Sequence, residues 1–349
     1  MELLTKVITI IGEHMLRNKI EAYCQSLGLD AIGFIPCRRF DESAAFFQNR
    51  KDLGLENSFE EQDIEKRINP FLYMEDGKTI ISIAFPYNTP DENNVDNGFS
   101  VYTKRYDYHR VVKSYLTKIC EYIEALGGKA LHFVDSNNLP ERYIAYLAGI
   151  GFIGRNNMLI TEKYGTYVFL GEIITNLEVE CSDVRHHSEI PQYKECCECD
   201  ICYNACPSKS ITAAKINPNV CLSYYTQKKE LADDEIKMLK GNVFGCDICQ
   251  RVCRYNRTAL PSRLPEFAAL ASMNQDVSTY AAMDNKMFKE QISHSSCGWR
   301  GKNVIKRNAI IHLHKKGEDI DAYRGDSTYI NEYIDRLQEM DTEDQSKYE

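Results

Sequence analysis

Residues 196–207 read Cys-Cys-Glu-Cys-Asp-Ile-Cys-Tyr-Asn-Ala-Cys-Pro, and this run decides the fold of the middle of the chain. It contains four cysteines at the spacing C-x2-C-x2-C-x3-C, followed directly by proline. In this arrangement the first three thiolates bind three irons of one [4Fe–4S] cubane, and the fourth thiolate binds a second cubane. The run therefore predicts a ferredoxin-like domain with two clusters, which need further cysteines from elsewhere in the chain.

The further ligands lie downstream, in Cys246-x2-Cys249-x3-Cys253 and in Cys221 between the two runs. The crossover of two-cluster domains then predicts two ligand sets. They are Cys196, Cys199, Cys202 and Cys253 for one cluster, and Cys206, Cys221, Cys246 and Cys249 for the other. Zinc is the alternative, because CxxC pairs also form tetrahedral zinc sites. The Cys-Pro ending and the lack of an interleaved histidine favour iron–sulfur clusters.

Nine of the fourteen cysteines fall within residues 196–253. A disulfide scaffold would be typical of a short secreted chain, and nothing in the sequence indicates secretion. Cys197 is a poor ligand beside Cys196, and we expect it to be a packing thiol. The remaining cysteines have no ligand spacing and are expected to be ordinary buried residues: Cys24, Cys37, Cys120, Cys181 and Cys297.

The composition is that of a globular protein. The chain has 349 residues, 43% hydrophobic and 27% charged, which suits about two domains or one large domain with appendages. Its longest apolar run, residues 79–85, is far shorter than the roughly 20 residues that span a bilayer. The N-terminus lacks a basic region followed by an apolar region and a cleavage site. We therefore expect a cytoplasmic protein without membrane contact.

The periodicity of the chain predicts an α+β fold in three parts. Residues 1–180 read as an α/β domain, residues 181–260 as the two-cluster domain and residues 261–349 as a helical region with an acidic tail. The expected helices are 12–28, 108–126, 140–149 and 302–315, and the expected strands are 31–35, 79–85, 130–134, 157–161 and 166–175.

Two adjacent clusters move electrons, so another group should receive them. The first domain has no G-x-G-x-x-G fingerprint in the right context and no Walker motif, because Gly149-Ile150-Gly151-Phe152-Ile153-Gly154 follows a helix. The residues themselves leave the identity of a further cofactor open.

The order of several short segments resembles the epoxyqueuosine reductases, over most of the chain. Each segment is weak alone, but their order and spacing together are specific. In addition to the cysteine run they are Asp63-Ile64-Glu65-Lys66-Arg67, Asp107-Tyr108-His109, Val134-Asp135-Ser136, Ala148-Gly149-Ile150-Gly151-Phe152, Tyr164-Gly165-Thr166-Tyr167, Cys221-Leu222-Ser223-Tyr224, Gly245-Cys246-Asp247-Ile248-Cys249-Gln250 and Trp299-Arg300-Gly301-Lys302. One departure is Arg254 after Cys253, where the family usually has proline.

The resemblance implies an oxidoreductase that reduces epoxyqueuosine to queuosine at the wobble position of tRNA. It implies a cobalamin on the first domain, used as cob(I)alamin and reduced through the two [4Fe–4S] clusters. The implied partners are a tRNA anticodon stem-loop and a low-potential electron donor such as flavodoxin or ferredoxin, and a monomer is expected. A reductive dehalogenase-like enzyme acting on a small molecule and an electron-transfer ferredoxin-type protein are the alternatives.

The resemblance also assigns site residues. Asp135, at the end of an apolar strand, is the implied proton donor, and a helix cap is the alternative. As an acid it would need a raised pKa, which we expect from desolvation against apolar neighbours such as Phe133. The implied cobalamin contacts are Arg67, Ser100, Asp135, Arg155, Asn157 and Tyr167, with Asn156 beside them. Surface or turn residues are the alternative for Arg67 and the two asparagines, and His109 is expected to be a packing or capping residue.

A basic stretch near the C-terminus is a candidate tRNA surface. The net charge is −9, but residues 317–349 alone contain eleven acidic and three basic residues, so the rest is nearly neutral. The stretch follows Trp299 and comprises Arg300, Lys302, Lys306, Arg307, Lys315 and Lys316, with Lys104, Arg105 and Arg110 as an extension. Cations there would contact phosphates and the aromatic ring would stack on unpaired bases, whereas a solvated helix face is the alternative.

Overall fold

A four-stranded sheet forms the centre of the first domain in this computed structural model, which describes residues 2–89, 95–135, 138–181, 185–239 and 241–346. Its strands are β1 (Ala31–Pro36), β2 (Thr79–Pro86), β3 (Ala130–Phe133) and β6 (Val168–Thr175), in the order β1-β2-β6-β3. Two short strands, β4 (Phe152–Ile153) and β5 (Leu159–Ile160), form a separate hairpin. The predicted strands are thus present, and the run at 157–161 is shorter than expected.

Every strand pair in the main sheet is antiparallel. The α+β class expected for the chain is therefore confirmed, but the label α/β for the first domain is wrong in its strict sense of parallel strands. Alternation of helices and strands along the chain suggested that label, yet sequence periodicity does not report strand direction. In the centre of the sheet, β2 pairs with β1 and β6 along its length, and all eight of its residues are buried.

Helices cover both faces of this sheet. On one face lie α1 (Glu2–Ser26) and α4 (Tyr108–Ala125), whose Ile20, Leu116 and Ile119 pack with sheet residues such as Ile83. On the other face lie α2 (Ala44–Asp52), α3 (Ile64–Ile68) and α5 (Glu141–Leu147). The predicted helix at 12–28 begins earlier than expected, and the other predicted helices match within a few residues.

The described part of the cysteine-bearing segment consists of turns, short 3-10 helices and four short α-helices: α6 (Ile201–Ala205), α7 (Leu222–Tyr225), α8 (Asp233–Met238) and α9 (Ile248–Arg251). After it come α10 (Val277–Ala281), α11 (Asn285–Met287), α12 (Lys302–Lys315) and α13 (Thr328–Ser346). Their apolar residues form one core with Phe99 and Phe244, while Phe267 packs against the first domain. The division at residues 180 and 260 stays a prediction, because these cores cross it.

Across the described ranges, none of the helices is both long enough and apolar enough to cross a membrane.

Candidate functional site

Asp135 lies at the end of the main sheet, just after β3. Its φ of +44° is in the left-handed region, which aspartate tolerates better than most residues. The Tyr108 hydroxyl and His109 Nε2–H both donate to Asp135 Oδ2, the histidine over 3.0 Å. The Asp135 side chain is 54% exposed. Two donors therefore orient a carboxylate that is still open to a ligand.

The amino end of α4 supplies both donors. Asp107 caps this helix by accepting the backbone N–H of His109 at 3.1 Å, and Asp107 Oδ1 also lies 2.7 Å from His109 Nδ1. Burial lowers the pKa of His109, but the hydrogen bonds with Asp107 and Asp135 outweigh burial and raise this pKa to about 9. His109 is therefore protonated at neutral pH and donates to a carboxylate from each ring nitrogen.

The pKa of Asp135 is lowered, so the predicted increase is wrong. Burial raises this pKa, but the hydrogen bonds from His109 and Tyr108, together with the charge of His109, lower it by more. Apolar neighbours such as Phe133 would only raise this pKa. The groups that decide the sign come from α4, 26 residues earlier in the case of His109.

Two further carboxyl groups, those of Glu141 and Glu172, lie near Asp135, and sequence reasoning missed both. The backbone N–H of Asp135 donates to Glu141 Oε1 at 2.6 Å, at the start of α5. Glu172 is fully buried in β6 and accepts a hydrogen bond from Ser82 Oγ at 3.2 Å. Burial and the charge of Glu141 raise the pKa of Glu172 well above its ordinary value. The sequence signal that could have identified Glu172 is the presence of a glutamate within an otherwise apolar strand.

Ser100 lies where the cysteine-bearing segment meets the first domain. Its backbone N–H donates to the Phe244 carbonyl at 2.9 Å, and a Cβ on Gly245 would lie 2.1 Å from Ser100 Oγ. Ser100 is 2% exposed, and its hydroxyl has no hydrogen-bond partner within the described residues. An unpaired buried hydroxyl is unfavourable, so this position suits a polar ligand.

Arg155 and Asn156 follow the glycine-rich turn and lie beside the cysteine run. Arg155 Nη2 donates to the Cys197 carbonyl at 2.8 Å, and the guanidinium lies over the rings of Tyr193 and Tyr203. Arg155 Nε and Asn156 Nδ2 are buried and, among the residues described, have no hydrogen-bond partner. They are therefore two more donors that a polar ligand could satisfy.

Asn157 and Tyr167 already contact protein groups. Asn157 has a φ of +61°, and its carbonyl accepts a hydrogen bond from Arg142. Tyr167 is 8% exposed, and its ring meets that of Tyr87 edge-on at 5.8 Å between centroids. Their roles toward a cofactor stay predictions.

Arg67 is likewise part of a local network. Its guanidinium lies 3.9 Å from the centroid of the Phe47 ring and 3.4 Å from the Glu60 carboxylate. Arg142, which reaches Asn157, interacts electrostatically with Arg67 and with Glu141. Arg67 thus belongs to the same region as the Asp135 site, and its contact with a corrin ring stays a prediction.

The eight predicted ligand cysteines fall into two groups of electrostatic neighbours. The members of the first group are Cys196, Cys199, Cys202 and Cys253. The members of the second group are Cys206, Cys221, Cys246 and Cys249. Cys202 also acts on Cys249, so the two groups adjoin. These two groups coincide with the two predicted ligand sets, whose binding of clusters stays a prediction.

The predicted ligand cysteines are buried or partly buried. Burial raises the pKa of Cys202 to about 11 and that of Cys246 to about 12. Because the thiolate is the form that binds metal, binding of a cluster to these thiols would displace their protons. By contrast, Cys197 is exposed, and its Sγ donates to the Lys194 carbonyl at 3.2 Å, so the expectation that Cys197 is a packing thiol is wrong.

Tyr102 connects the two halves of the site. Burial raises the pKa of Tyr102, and acidic neighbours that include Asp247, Asp135 and Cys221 raise it further. Asp247 itself, between the predicted ligands Cys246 and Cys249, accepts the Val101 backbone N–H at 2.6 Å. One tyrosine therefore lies near both the Asp135 carboxylate and a thiol of the second group.

Three cations of the predicted basic surface are internal, so their assignment to that surface is wrong. Arg307 is 0% exposed and donates to two backbone carbonyls and to the Tyr329 hydroxyl. Lys104 and Arg105 are each 3% exposed and donate to the carbonyls of Val95 and Val101. A run of cations in sequence does not reveal which of them face the core.

Part of the predicted region lies beside Phe59 and forms with it a surface that we call the aromatic–basic surface: Phe59, Trp299, Arg300, Lys302 and Lys306. Trp299 is 55% exposed and Phe59 48% exposed, with ring centroids 5.8 Å apart. The Arg300 guanidinium lies 5.2 Å from the Trp299 ring centroid. Exposed rings beside cations are a combination that suits single-stranded nucleic acid.

Comparison with known families gives two matches along the chain. Residues 195–256 match the family model described as "4Fe-4S double cluster binding domain", which favours iron–sulfur over zinc. Residues 67–136 match the model described as "Epoxyqueuosine reductase QueG, DUF1730", a stretch that includes Asp107 to Asp135.

Individual relatives agree with these matches. The epoxyqueuosine reductase of Lactococcus garvieae is 32% identical over 309 residues, which is 85% of this chain and 86% of the relative. A crystal structure of epoxyqueuosine reductase with an epoxyqueuosine-modified tRNA stem loop has a TM-score of 0.79 at 32% identity, covering 86% of this chain and 81% of that one. A Bacillus subtilis epoxyqueuosine reductase structure, described with its catalytic aspartate loop swung out of the active site, has a TM-score of 0.78 at 31% identity and the same coverages.

These matches extend over both the Asp135 site and the cysteine segment, and they favour a reductase over an electron-transfer protein. The chain is an oxidoreductase and belongs to the epoxyqueuosine reductase family.

Proposed function

We propose that this chain reduces epoxyqueuosine to queuosine at the wobble position of tRNA, with a cobalamin and two [4Fe–4S] clusters as cofactors. The observation that carries the proposal is the position of Asp135. Its carboxylate is oriented by Tyr108 and a protonated His109, at the end of the sheet that adjoins the cysteine-bearing segment. Family membership supplies the substrate.

The balance of the reaction explains why such a group is needed. Removal of an epoxide oxygen as water consumes two electrons and two protons and leaves a carbon–carbon double bond. Iron–sulfur clusters deliver electrons, so protein groups or water must deliver the protons. His109 carries a proton at neutral pH and is hydrogen-bonded to Asp135, which is open to a ligand.

Because the pKa of Asp135 is lowered, its carboxyl group is ionised before the reaction. We therefore propose that Asp135 relays a proton from His109 to the substrate and is not itself a permanently protonated acid. As negative charge develops on the substrate oxygen, a proton moves from His109 Nε2 to Asp135 Oδ2, and Asp135 passes a proton to that oxygen. Asp107 stabilises the charge on His109 before the transfer, and the Tyr108 hydroxyl keeps the Asp135 carboxylate oriented.

The donor atoms available near the cysteine run suit a corrin ring with its amide side chains. Ser100 Oγ, Arg155 Nε and Asn156 Nδ2 are buried and lack hydrogen-bond partners within the described part of the chain. We assign these groups, with Arg67, Asn157 and Tyr167, to the cobalamin site. A bound cobalamin would supply a cobalt centre that takes electrons from the clusters and passes them to the substrate.

Two clusters, rather than one, are proposed from the eight cysteines. Their thiols form two adjoining groups of four, and the matching family model is described as a double cluster domain. Electrons would enter from a low-potential flavodoxin or ferredoxin and cross both clusters to the cobalamin.

The tRNA would contact the aromatic–basic surface. A related enzyme has been crystallised with a modified tRNA stem loop, and exposed Trp299 and Phe59 could stack on unpaired bases of such a loop. Lys302 and Lys306 would contact phosphates. We further propose that the chain acts in the cytoplasm as a monomer.

The Asp135→Asn variant tests the proposal. Asparagine keeps the shape of aspartate and can donate a hydrogen bond, but it cannot relay a proton. We expect iron content and the cobalamin absorption bands to stay as in the unmodified protein, while conversion of epoxyqueuosine in tRNA falls by roughly 10²-fold or more.

Asp76→Asn is the matched control, since Asp76 pairs with Lys129 at 2.7 Å near the opposite end of the sheet. It makes the same chemical change, and turnover should stay near that of the unmodified protein. Near-normal turnover in Asp135→Asn with both cofactors bound would contradict the role of Asp135. No conversion by the fully loaded unmodified protein would contradict the proposed function as a whole.

A further inference from the structure

Glu172 is an unusual residue for the centre of a sheet. It pairs with Ser82 of β2 and Phe133 of β3, and it is 0% exposed. One carboxyl oxygen accepts the Ser82 hydroxyl, and the other is buried with no hydrogen-bond donor recorded for it among the described residues. Burial of a carboxylate without a cation is strongly unfavourable, so this group needs a proton or a partner.

The charged group that acts on Glu172, in the described part of the chain, is another carboxyl, Glu141. Glu141 opens α5, which packs on β2 and β6, and its side chain also faces Arg142 and Tyr108. Arg142 offsets the charge of Glu141. Two carboxyl groups in contact share one proton, because both cannot ionise side by side.

Glu141 connects this pair to the candidate active site. Its Oε1 accepts the backbone N–H of Asp135 at 2.6 Å, at the residue whose φ is +44°. The same residue presents its carboxylate to Tyr108 and His109. Glu141 therefore fixes the backbone of Asp135, while Tyr108 and His109 fix its side chain.

We propose that Glu172 and Glu141 act as one positioning pair: protonated Glu172 donates to the Glu141 carboxylate, which fixes the Asp135 backbone in register with Tyr108 and His109. The proposal rests on the proposed function of Asp135 and adds two positioning residues to it. Burial, together with the charge of Glu141, raises the pKa of Glu172, so the proton stays in place at neutral pH. Loss of that proton would leave two carboxylates that repel each other, and the backbone of Asp135 would no longer be held in place.

The first test compares Glu141→Ala with Glu141→Gln in the cofactor-loaded protein. Alanine removes the acceptor for the Asp135 N–H, whereas glutamine keeps an acceptor oxygen. We expect amide exchange of the peptide containing Asp135 to rise roughly tenfold in Glu141→Ala, with kcat about tenfold lower and KM unchanged. Glu141→Gln should recover most of both losses. Glu178→Ala, which removes an exposed glutamate paired with Lys78, is the matched control and should change neither.

The second test detects the proton itself. Infrared difference spectra at neutral pH should contain the carbonyl stretch of a protonated carboxyl group that disappears in Glu172→Gln. Absence of this band from the unmodified protein, or unchanged exchange in Glu141→Ala, would overturn the positioning pair. The amide-exchange and infrared measurements do not need substrate. Increased exchange in a protein that converts no epoxyqueuosine would therefore support the pair and reject the proposed function.

Discussion

The cysteine segment and the Asp135 site differ in how far apart in sequence their working residues lie. Seven of the eight candidate ligands occur in two runs, residues 196–206 and 246–253, because one cluster face needs thiolates from one tight loop. The Asp135 site combines α4, the end of β3, α5 and β6, and its residues span 107 to 172. Local spacing reveals the first kind of site, whereas tertiary packing creates the second.

The largest expected effect tests the cysteine side of this comparison. Cys253→Ser removes a thiol that lies in the group formed mostly by the first run. We expect about eight irons per unmodified chain after anaerobic reconstitution, a fall toward about four in Cys253→Ser, and no turnover in that variant. Cys197→Ser is the neighbouring control and should keep full iron. About four irons or stoichiometric zinc in the unmodified protein would contradict the two-cluster proposal.

The sequence therefore predicted the two parts of the molecule unequally. Spacing alone selected the eight candidate ligand cysteines and left Cys197 out, and periodicity located β2 and α12 within a residue or two. It could not show that the sheet is antiparallel, because strand direction depends on connections in space. Nor could it show that His109 and Tyr108 meet Asp135, which reversed the expected direction of the Asp135 pKa shift.

The second prediction concerns Arg307, which the sequence wrongly predicted to lie on the exposed face of α12. Arg307 is fully buried and its guanidinium donates to two backbone carbonyls, to Tyr329 and to Asn308. Arg307→Ala leaves these acceptors unpaired, and we expect it to destabilise the protein by roughly 3–5 kcal/mol. Denaturant unfolding measures this loss. Lys302→Ala, one and a half turns earlier on the half-buried side of α12, should change stability by less than about 0.5 kcal/mol.

The third prediction uses the raised pKa of His109 to sharpen the account of the Asp135 site. The ion pairs of His109 with Asp107 and Asp135 are fully present below its ordinary pKa of about 6.5 and are lost as pH rises through about 9. We therefore expect kcat/KM to fall about tenfold per pH unit above about 9. In His109→Gln this alkaline limb should disappear and the neutral rate should be roughly tenfold lower. An unchanged limb in the variant would assign the titration to another group.

The smallest expected effect concerns the aromatic–basic surface. Only some of the cations that the sequence predicted for this surface are accessible in the structure. Lys302 and Lys306 stay accessible although Arg307 beside them is internal. Each phosphate contact releases about one counterion, so Lys302→Ala with Lys306→Ala should weaken tRNA binding several-fold and reduce the salt slope by up to about two. The matched pair Lys78→Ala with Lys129→Ala makes the same charge change at two lysines that already pair with Glu178 and Asp76. Equal losses of tRNA affinity in both double variants would show that the effect is due to net charge alone. A loss confined to Lys302 and Lys306, with cofactor spectra unchanged, would place the tRNA backbone along α12 and separate substrate binding from the chemistry at Asp135.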